Sequence, residues 1–152
     1  MDKNTLQQFE QRLGYSFKNK TLLQTALTHK TYAFEASEPL EYNERLEFLG
    51  DSVLNFIVTE ELYNSNKYFS EGELTRRRAM IVNNKVLAKK AQDLLLGKFL
   101  QLGKGEIKQQ GATNHTNLAN AFEAVIGAMF LDAGLQQTHS FIVRYVLQEK
   151  KI

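Results

Sequence analysis

The chain has 152 residues, no cysteine and only one proline. Without cysteine there is no disulfide framework, which fits a reducing cytoplasm. The first twenty residues are polar and charged, and no apolar run reaches the ~18 residues needed to span a bilayer. An apolar content of 43% and the lack of low-complexity tracts argue against disorder. These features predict a cytoplasmic, soluble protein without a membrane partner.

The apolar residues recur at helical spacing, and no stretch alternates as a strand would. We therefore predict an all-α fold in which residues 1–152 form a single domain. The predicted elements include a long helix over Tyr42–Tyr63, an almost wholly apolar helix over Leu118–Leu131, capping boxes at Thr5 with Gln8 and at Ser70 with Glu73, and a loop from Gly97 to Gly111.

Three acids interrupt the long predicted helix. At about 100° per residue, Glu44, Glu47 and Asp51 fall inside one stripe ~80° wide, so they share a face. Leucine and other apolar residues surround them, and ionised groups in apolar surroundings are costly unless a cation is present. The alternative is the solvated face of an ordinary amphipathic helix.

The apolar helix carries two polar residues, Asn120 and Glu123, three apart on one face. A buried Glu needs a partner, and the acid stripe of the other helix can be its neighbour only if divalent cations lie between them. Oxygen ligands without cysteine favour Mg²⁺ or Mn²⁺ over zinc. The two helices together therefore predict a metal site.

Charge is distributed unevenly along the chain. Residues 35–61 contain eight acids and one base, whereas residues 67–108 contain ten bases and four acids. This asymmetry suits a protein that binds metals in one zone and a phosphate backbone in another. The candidates for phosphate contact are Arg76, Arg77, Arg78, Lys104 and Lys108. For single lysines of this region, solvation of a helix face is the alternative.

Residues 43–51, Asn-Glu-Arg-Leu-Glu-Phe-Leu-Gly-Asp, resemble the signature of the ribonuclease III family, the double-stranded-RNA endonucleases that include Dicer and Drosha. Leu27–Lys30, Glu71–Thr75 and Phe122–Gly127 resemble further family patterns. The resemblance covers nearly the whole chain. It indicates a catalytic domain of the bacterial type.

The resemblance implies metal binding by Glu47, Asp51 and Glu123, with Asn120 at a fourth metal position. It also implies that Glu44 and Glu71 lie near the cleavage centre, although a helix-start role favoured by the macrodipole is the alternative for Glu71. Two Mg²⁺ ions, with Mn²⁺ as a substitute, would drive hydrolysis of double-stranded RNA. The products would carry 5′-phosphate and 3′-hydroxyl ends with short 3′ overhangs, in the processing of ribosomal and messenger RNA.

Family members pair as two-fold dimers, which implies a homodimer in which Phe48 enters a socket on the partner. A role for Phe48 in the protein's own core is the alternative. Because A-form RNA has a wide, shallow minor groove with 2′-hydroxyls, recognition is expected to follow shape and backbone more than base sequence.

Two departures from the family pattern affect the prediction. Asn120 stands where the family usually has Asp, which removes one charge from the metal site. Nothing after Ile152 resembles a double-stranded-RNA-binding domain, so we expect the catalytic domain alone. A weakened or inactive relative that binds structured RNA is therefore the alternative function. A helical oligomerisation domain without RNA is a third reading, but it leaves the grouped acids unexplained.

Overall fold

The computed structural model describes residues 1–148 of the chain, and within them it has nine α-helices and no β-strand, which confirms the all-α prediction. None of these helices combines the length and the apolar character of a membrane span. The helices are α1 (Lys3–Leu13), α2 (Lys20–Ala26), α3 (Lys30–Glu35), α4 (Glu44–Ser65), α5 (Glu71–Ile81), α6 (Asn84–Asp93), α7 (Lys104–Lys108), α8 (His115–Ala133) and α9 (Leu135–Ile142).

Local capping residues set two of the helix starts. At α5 the predicted capping box is present: the Ser70 hydroxyl accepts from the Glu73 N–H, and the Glu73 carboxylate accepts from the Ser70 N–H. At α1 the predicted box is wrong. Asp2 caps the helix instead, and its carboxylate accepts from both the backbone N–H and the hydroxyl of Thr5. The Thr5 hydroxyl thus donates to Asp2, and Thr5 is not the N-cap residue.

The predicted loop from Gly97 to Gly111 is also wrong, because α7 and two short 3₁₀ turns lie in or beside it. The Glu35 carboxylate of α3 accepts from the Lys104 N–H at 2.9 Å and so caps α7. The Glu106 carboxylate accepts from the Asn117 side chain of α8 at 2.7 Å. Tertiary hydrogen bonds therefore fold a segment of poor helix propensity, which a local pattern does not reveal.

Helix α8 forms the centre of the molecule. Its residues from Leu118 to Met129 are all buried except Asn120, which is half-buried. Helices α4, α6, α2 and α9 pack around it. A helix that is apolar on nearly every side is stable in water only under such a cover, as its sequence predicts.

The backbones of α4 and α8 touch where two glycines meet. A Cβ placed on Gly50 would lie 1.8 Å from the Glu123 carbonyl oxygen, and one on Gly127 would lie 2.2 Å from the Leu46 carbonyl oxygen. Both distances are far inside van der Waals contact, so no larger residue fits at either position without moving a helix. We call this contact the glycine crossing. It fixes the position along each helix at which α4 and α8 cross.

We expect Gly127→Ala to lower the free energy of unfolding by about 3 kcal/mol, since the added methyl forces the helix backbones apart. The matched control is Gly72→Ala in α5, where an added Cβ has no neighbour within 4 Å. That change should be neutral or stabilise by up to about 1 kcal/mol, because alanine is the better helix former. Urea unfolding measures both; equal stability of the two variants would contradict the crossing.

Candidate active site

The acidic start of α4 is held by the segment that precedes α3. Asn43 is buried at the N-cap of α4, and its N–H donates to the Thr28 carbonyl at 2.9 Å. Thr28 is itself fully buried and its hydroxyl contacts the Gln101 side chain. Glu44 and Glu47 lie in the first turn, where the helix dipole favours negative charge. The fold thus fixes the first two acids of the stripe.

Glu123 reaches the same place from α8, because its carbonyl is one of the groups that touches the glycine crossing. Its side chain is only 8% exposed. Among residues 1–148 no side chain donates a hydrogen bond to its carboxyl group. Burial, followed by the negative charges of Asp51 and Glu47, raises the pKa of Glu123 to about 8. At neutral pH the isolated domain therefore keeps this carboxyl protonated.

Glu47 belongs to the same electrostatic cluster. Burial raises its pKa, and the charges of Glu44 and Asp51 raise it further, while Lys30 acts in the opposite direction. The Lys30 ammonium lies 3.0 Å from a Glu44 oxygen, and this hydrogen-bonded pair raises the pKa of Lys30. These predicted acids therefore form one group, and the fold places the positively charged Lys30 side chain beside them. Lys30 was missed because no helical spacing connects it to a helix fourteen residues later.

The site's residues fit a divalent cation by their chemistry. In the described part of the chain, no three acidic or histidine side chains enclose an ion by themselves. The fit depends instead on Glu123, whose carboxyl has no hydrogen-bond donor in the described residues and, once ionised, is repelled by Asp51 and Glu47. A cation among Glu47, Asp51 and Glu123 would remove that repulsion, and hard oxygen ligands suit Mg²⁺ or Mn²⁺.

Two amides border this acid group. Asn120 lies one turn before Glu123 on α8 and is half-buried, so its oxygen is positioned on the same helix face. Asn55 lies one turn after Asp51 on α4, and its side-chain nitrogen donates to the Asp51 carboxylate at 2.8 Å. Sequence reasoning missed Asn55, although an amide four residues from an acid on a helix is a recognisable hydrogen-bonding pattern.

Glu71 is not brought to the other acids within one chain. It begins α5, after α4 has ended at Ser65, and α5 folds back so that Arg78 reaches Thr59. At 1.5 Å per residue, the far end of α4 lies roughly 20 Å from Asp51. The Glu71 side chain accepts from the Thr75 hydroxyl and is exposed. Its predicted place near the cleavage centre is therefore not met in a single chain.

The three arginines of α5 differ in their surroundings. Arg77 stacks over the Phe69 ring at 4.0 Å, and Arg78 donates to the Thr59 hydroxyl at 3.0 Å. Arg76 is exposed and has no such contact in the described residues. Lys104 and Lys108 are exposed on α7. The hydrogen bond between Glu106 and Asn117 ties α7 to the first turn of α8, so these lysines lie near the beginning of the helix that carries Glu123.

Phe48 is 80% exposed, so the alternative of a core role is wrong. It borders an apolar groove of about 1060 Å³ whose lining includes Leu22, Leu40, Leu49 and Leu131. Phe56 and Tyr63 are also exposed, at 53% and 72%, and at helical spacing they lie within about 80° of Phe48. An aromatic row of this kind beside an apolar groove is typical of a protein interface.

The raised pKa of Glu123 predicts a stability that depends on pH. An acid with a higher pKa in the folded state costs nothing below its unfolded pKa of 4.5, and stability falls as pH rises from there to about 8. Without metal, Glu123→Gln should therefore stabilise the domain by about 2–3 kcal/mol at pH 7 and hardly at all at pH 4.5.

Urea unfolding in the presence of a chelator measures this difference. The control is Glu38→Gln, which changes an exposed acid in the segment before α4 and should alter stability little at either pH. If Glu123→Gln raised the free energy of unfolding equally at both pH values, ionisation of Glu123 would not be the cause of the effect.

Comparisons with known proteins agree with this geometry. A family profile described as Ribonuclease-III-like matches residues 19–150. The chain is 47% identical over 133 residues to the Ribonuclease 3 of Bdellovibrio bacteriovorus, covering 88% of this chain and 57% of that protein. It is 47% identical over 145 residues to the Ribonuclease 3 of Carboxydothermus hydrogenoformans, covering 95% and 62%.

A solved structure gives the same result for the fold. The nuclease domain of ribonuclease III from Campylobacter jejuni superposes with a TM-score of 0.88 at 39% identity, covering 97% of this chain and 99% of that one. That structure is described as showing flexibility in a region involved in dimer formation. The chain spans about three fifths of the curated relatives it matches. By profile, sequence identity and fold, the chain belongs to the ribonuclease III family.

Proposed function

We propose that this domain is an endoribonuclease that cleaves double-stranded RNA with the help of Mg²⁺ or Mn²⁺. The observation that carries the proposal is the carboxyl of Glu123, a residue only 8% exposed, which has no hydrogen-bond donor among residues 1–148 and faces the charges of Asp51 and Glu47. Such an arrangement is costly for a domain with a purely structural role. Membership of the ribonuclease III family supports the choice of RNA as substrate. The expected setting is the processing of ribosomal and messenger RNA in the cytoplasm.

Each acid has a distinct part in this proposal. Glu47, Asp51 and Glu123 would hold the metal, with the Asn120 amide oxygen as a neutral fourth donor. When bound, divalent metal supplies the positive charge that activates water and stabilises the departing oxygen. Hydrolysis forms a bond from water oxygen to phosphorus and breaks the bond to the 3′ oxygen. One product then carries a 5′-phosphate and the other a 3′-hydroxyl.

Glu123 must lose its proton before it binds a cation, so metal binding and proton release are coupled. Its pKa of about 8 means that this proton is present at neutral pH in the metal-free domain. Lys30 holds Glu44 in an ion pair at the outer edge of the acid group. The positive charge of Lys30 partly offsets the repulsion between Glu44 and Glu47. This favours the folded domain when no metal is bound.

RNA would be held mainly through its phosphates. Lys104 and Lys108 are exposed on α7, which is tied to the first turn of α8, and would contact the phosphates of a duplex bound at the acid group. Arg76, Arg77 and Arg78 would contact the backbone farther along the same RNA. Because Arg77 and Arg78 already have protein partners, we expect Arg76 to contribute most of that contact.

A homodimer would bring two such centres to one duplex, each cutting one strand to leave a short 3′ overhang. Phe48 and its groove lie side by side, so a two-fold axis lets each chain insert its Phe48 into the other's groove. The groove contains mainly apolar residues, which suits an aromatic ring better than RNA. A second chain would also offer a route by which Glu71 reaches a cleavage centre.

A second candidate function is binding of structured RNA without cleavage, which Asn120 favours. An amide in place of a carboxylate weakens attraction for a cation and adds donors that a cation does not use. The remaining three acids still support a metal site, and we therefore keep cleavage as the leading proposal.

Incubation with long double-stranded RNA tests the function. We expect short duplex products with Mg²⁺ or Mn²⁺, none with a chelator, and none from Glu123→Gln. Asn120→Asp should raise the rate roughly tenfold at limiting Mg²⁺, which corresponds to about 1.4 kcal/mol of added metal binding. Asn64→Asp, the same change at the exposed end of α4, is the control. Intact RNA that is only shifted in a gel would favour the binding function.

The dimer is tested by light scattering over a range of concentrations. We expect a dimer at micromolar concentration and a Phe48→Ala variant whose dissociation constant is over a hundredfold higher, since a buried aromatic anchor contributes about 3 kcal/mol. Tyr68→Ala removes an equally exposed ring outside the groove and should leave the dimer unchanged. A parent protein that stays monomeric would refute the proposed assembly.

The phosphate contacts are tested by the salt dependence of RNA binding with Ca²⁺ in place of Mg²⁺. Lys104→Gln with Lys108→Gln should weaken binding equally for different duplex sequences and reduce the slope of log K against log salt by about 1.5. Arg76→Gln should reduce it by about 0.7 to 1. Lys3→Gln, on α1, is the control. An unchanged slope in both variants would show that RNA binds to a different surface of the protein.

A further inference from the structure

Asn55 makes two hydrogen bonds to a single residue of the acid group. Its side-chain nitrogen donates to the Asp51 carboxylate oxygen Oδ1 at 2.8 Å and to the Asp51 backbone carbonyl at 2.9 Å. The amide nitrogen of Asn55 is therefore within hydrogen-bond distance of Asp51 at two oxygens. Within residues 1–148, no other hydrogen bond to the Asp51 carboxylate is present.

This pair of bonds restricts the Asp51 side chain. Because the amide is planar and one of its bonds ends on the helix backbone, the other holds Oδ1 at a fixed position relative to α4. The second oxygen, Oδ2, is left without a donor from the described residues and remains available as a ligand. An exposed Asp without such a partner would sample several rotamers.

Asn55 is in turn held by its neighbours. The Thr59 hydroxyl donates to the Asn55 backbone carbonyl at 2.6 Å, and Arg78 of α5 donates to the same hydroxyl at 3.0 Å. Helix α5 therefore supports the turn of α4 that carries the amide. Asparagine is a poor residue for a helix interior, so its helix propensity gives no reason for it to stand here.

We infer that Asn55 is a positioning residue that fixes the Asp51 carboxylate for metal binding. The inference rests on the proposed function, since it assumes that Asp51 is a metal ligand. Groups that orient a metal-binding carboxylate contribute strongly to affinity, and their loss typically costs 10- to 100-fold. The amide acts through Asp51 and does not itself touch the ion.

The test uses the whole chain with Mn²⁺ alone as the probe, and measures free Mn²⁺ by electron paramagnetic resonance. Asn55→Leu keeps the size of the side chain and removes the donor, whereas Asn55→Ala removes both. Asn64→Ala deletes an exposed amide near the end of the same helix and is the control. Urea unfolding of the metal-free variants accompanies each titration.

We expect both Asn55 variants to bind Mn²⁺ about tenfold more weakly, with metal-free stability close to that of the parent and Asn64→Ala unchanged. Cleavage by Asn55→Leu should be slow at limiting Mg²⁺ and recover at saturating Mg²⁺, as a loss of metal affinity requires. Asn55→Leu that binds Mn²⁺ as tightly as the parent would overturn the inference.

The same measurements separate the inference from the proposed function. If the parent binds Mn²⁺ and the Asn55 variants bind it tenfold more weakly, but no protein cuts RNA, the inference holds and the proposed function fails. If the parent cuts RNA and the Asn55 variants match it in Mn²⁺ affinity, the inference alone fails. A parent that bound no Mn²⁺ would overturn both.

Discussion

The site depends on the contact between the backbones of α4 and α8 at Gly50 and Gly127. With no side chain between them, the helices approach until the carbonyl of Glu123 would lie 1.8 Å from a Cβ at Gly50. This approach removes water from the side chains beside it, and Glu123 is left 8% exposed. The electrostatics of the site thus follow from a packing constraint: a wider crossing would hydrate the carboxyl and allow it to ionise.

In the metal-free domain, the charge repulsion among the grouped acids is reduced in a different way at each acid. Glu44 has an ion pair with Lys30, and Asp51 accepts from Asn55. Glu47 and Glu123 have raised pKa values, and Glu123, the more deeply buried of the two, holds its proton to about pH 8. The most deeply buried acid of the group is therefore a neutral carboxyl at neutral pH. On the proposed function, a cation bound among these acids would displace this proton, so its affinity would rise with pH.

Much of this arrangement could be predicted from the sequence because it is local. Helical spacing alone grouped Glu44, Glu47 and Asp51, and the polar break in an apolar helix identified Glu123 as their neighbour. The role of Lys30 could not be predicted in that way, because its contact depends on how the segment before α3 is tied to α4. The same holds for α7, which hydrogen bonds from α3 and α8 stabilise against its own glycine content. Local patterns define helices and their faces, whereas tertiary contacts decide which faces meet.

The effect of an amide at position 120 depends on the raised pKa of Glu123. In a group where burial and two neighbouring charges already keep one acid protonated, a further carboxylate one turn away would raise that pKa again. The amide avoids this cost and so favours the metal-free fold, while it removes one charge that would attract a cation. Stability without metal and affinity for metal are thus opposed at this position. On the proposed function, a chain with Asn here would stay folded more easily when metal is scarce, and it would need a higher metal concentration to neutralise the acid group.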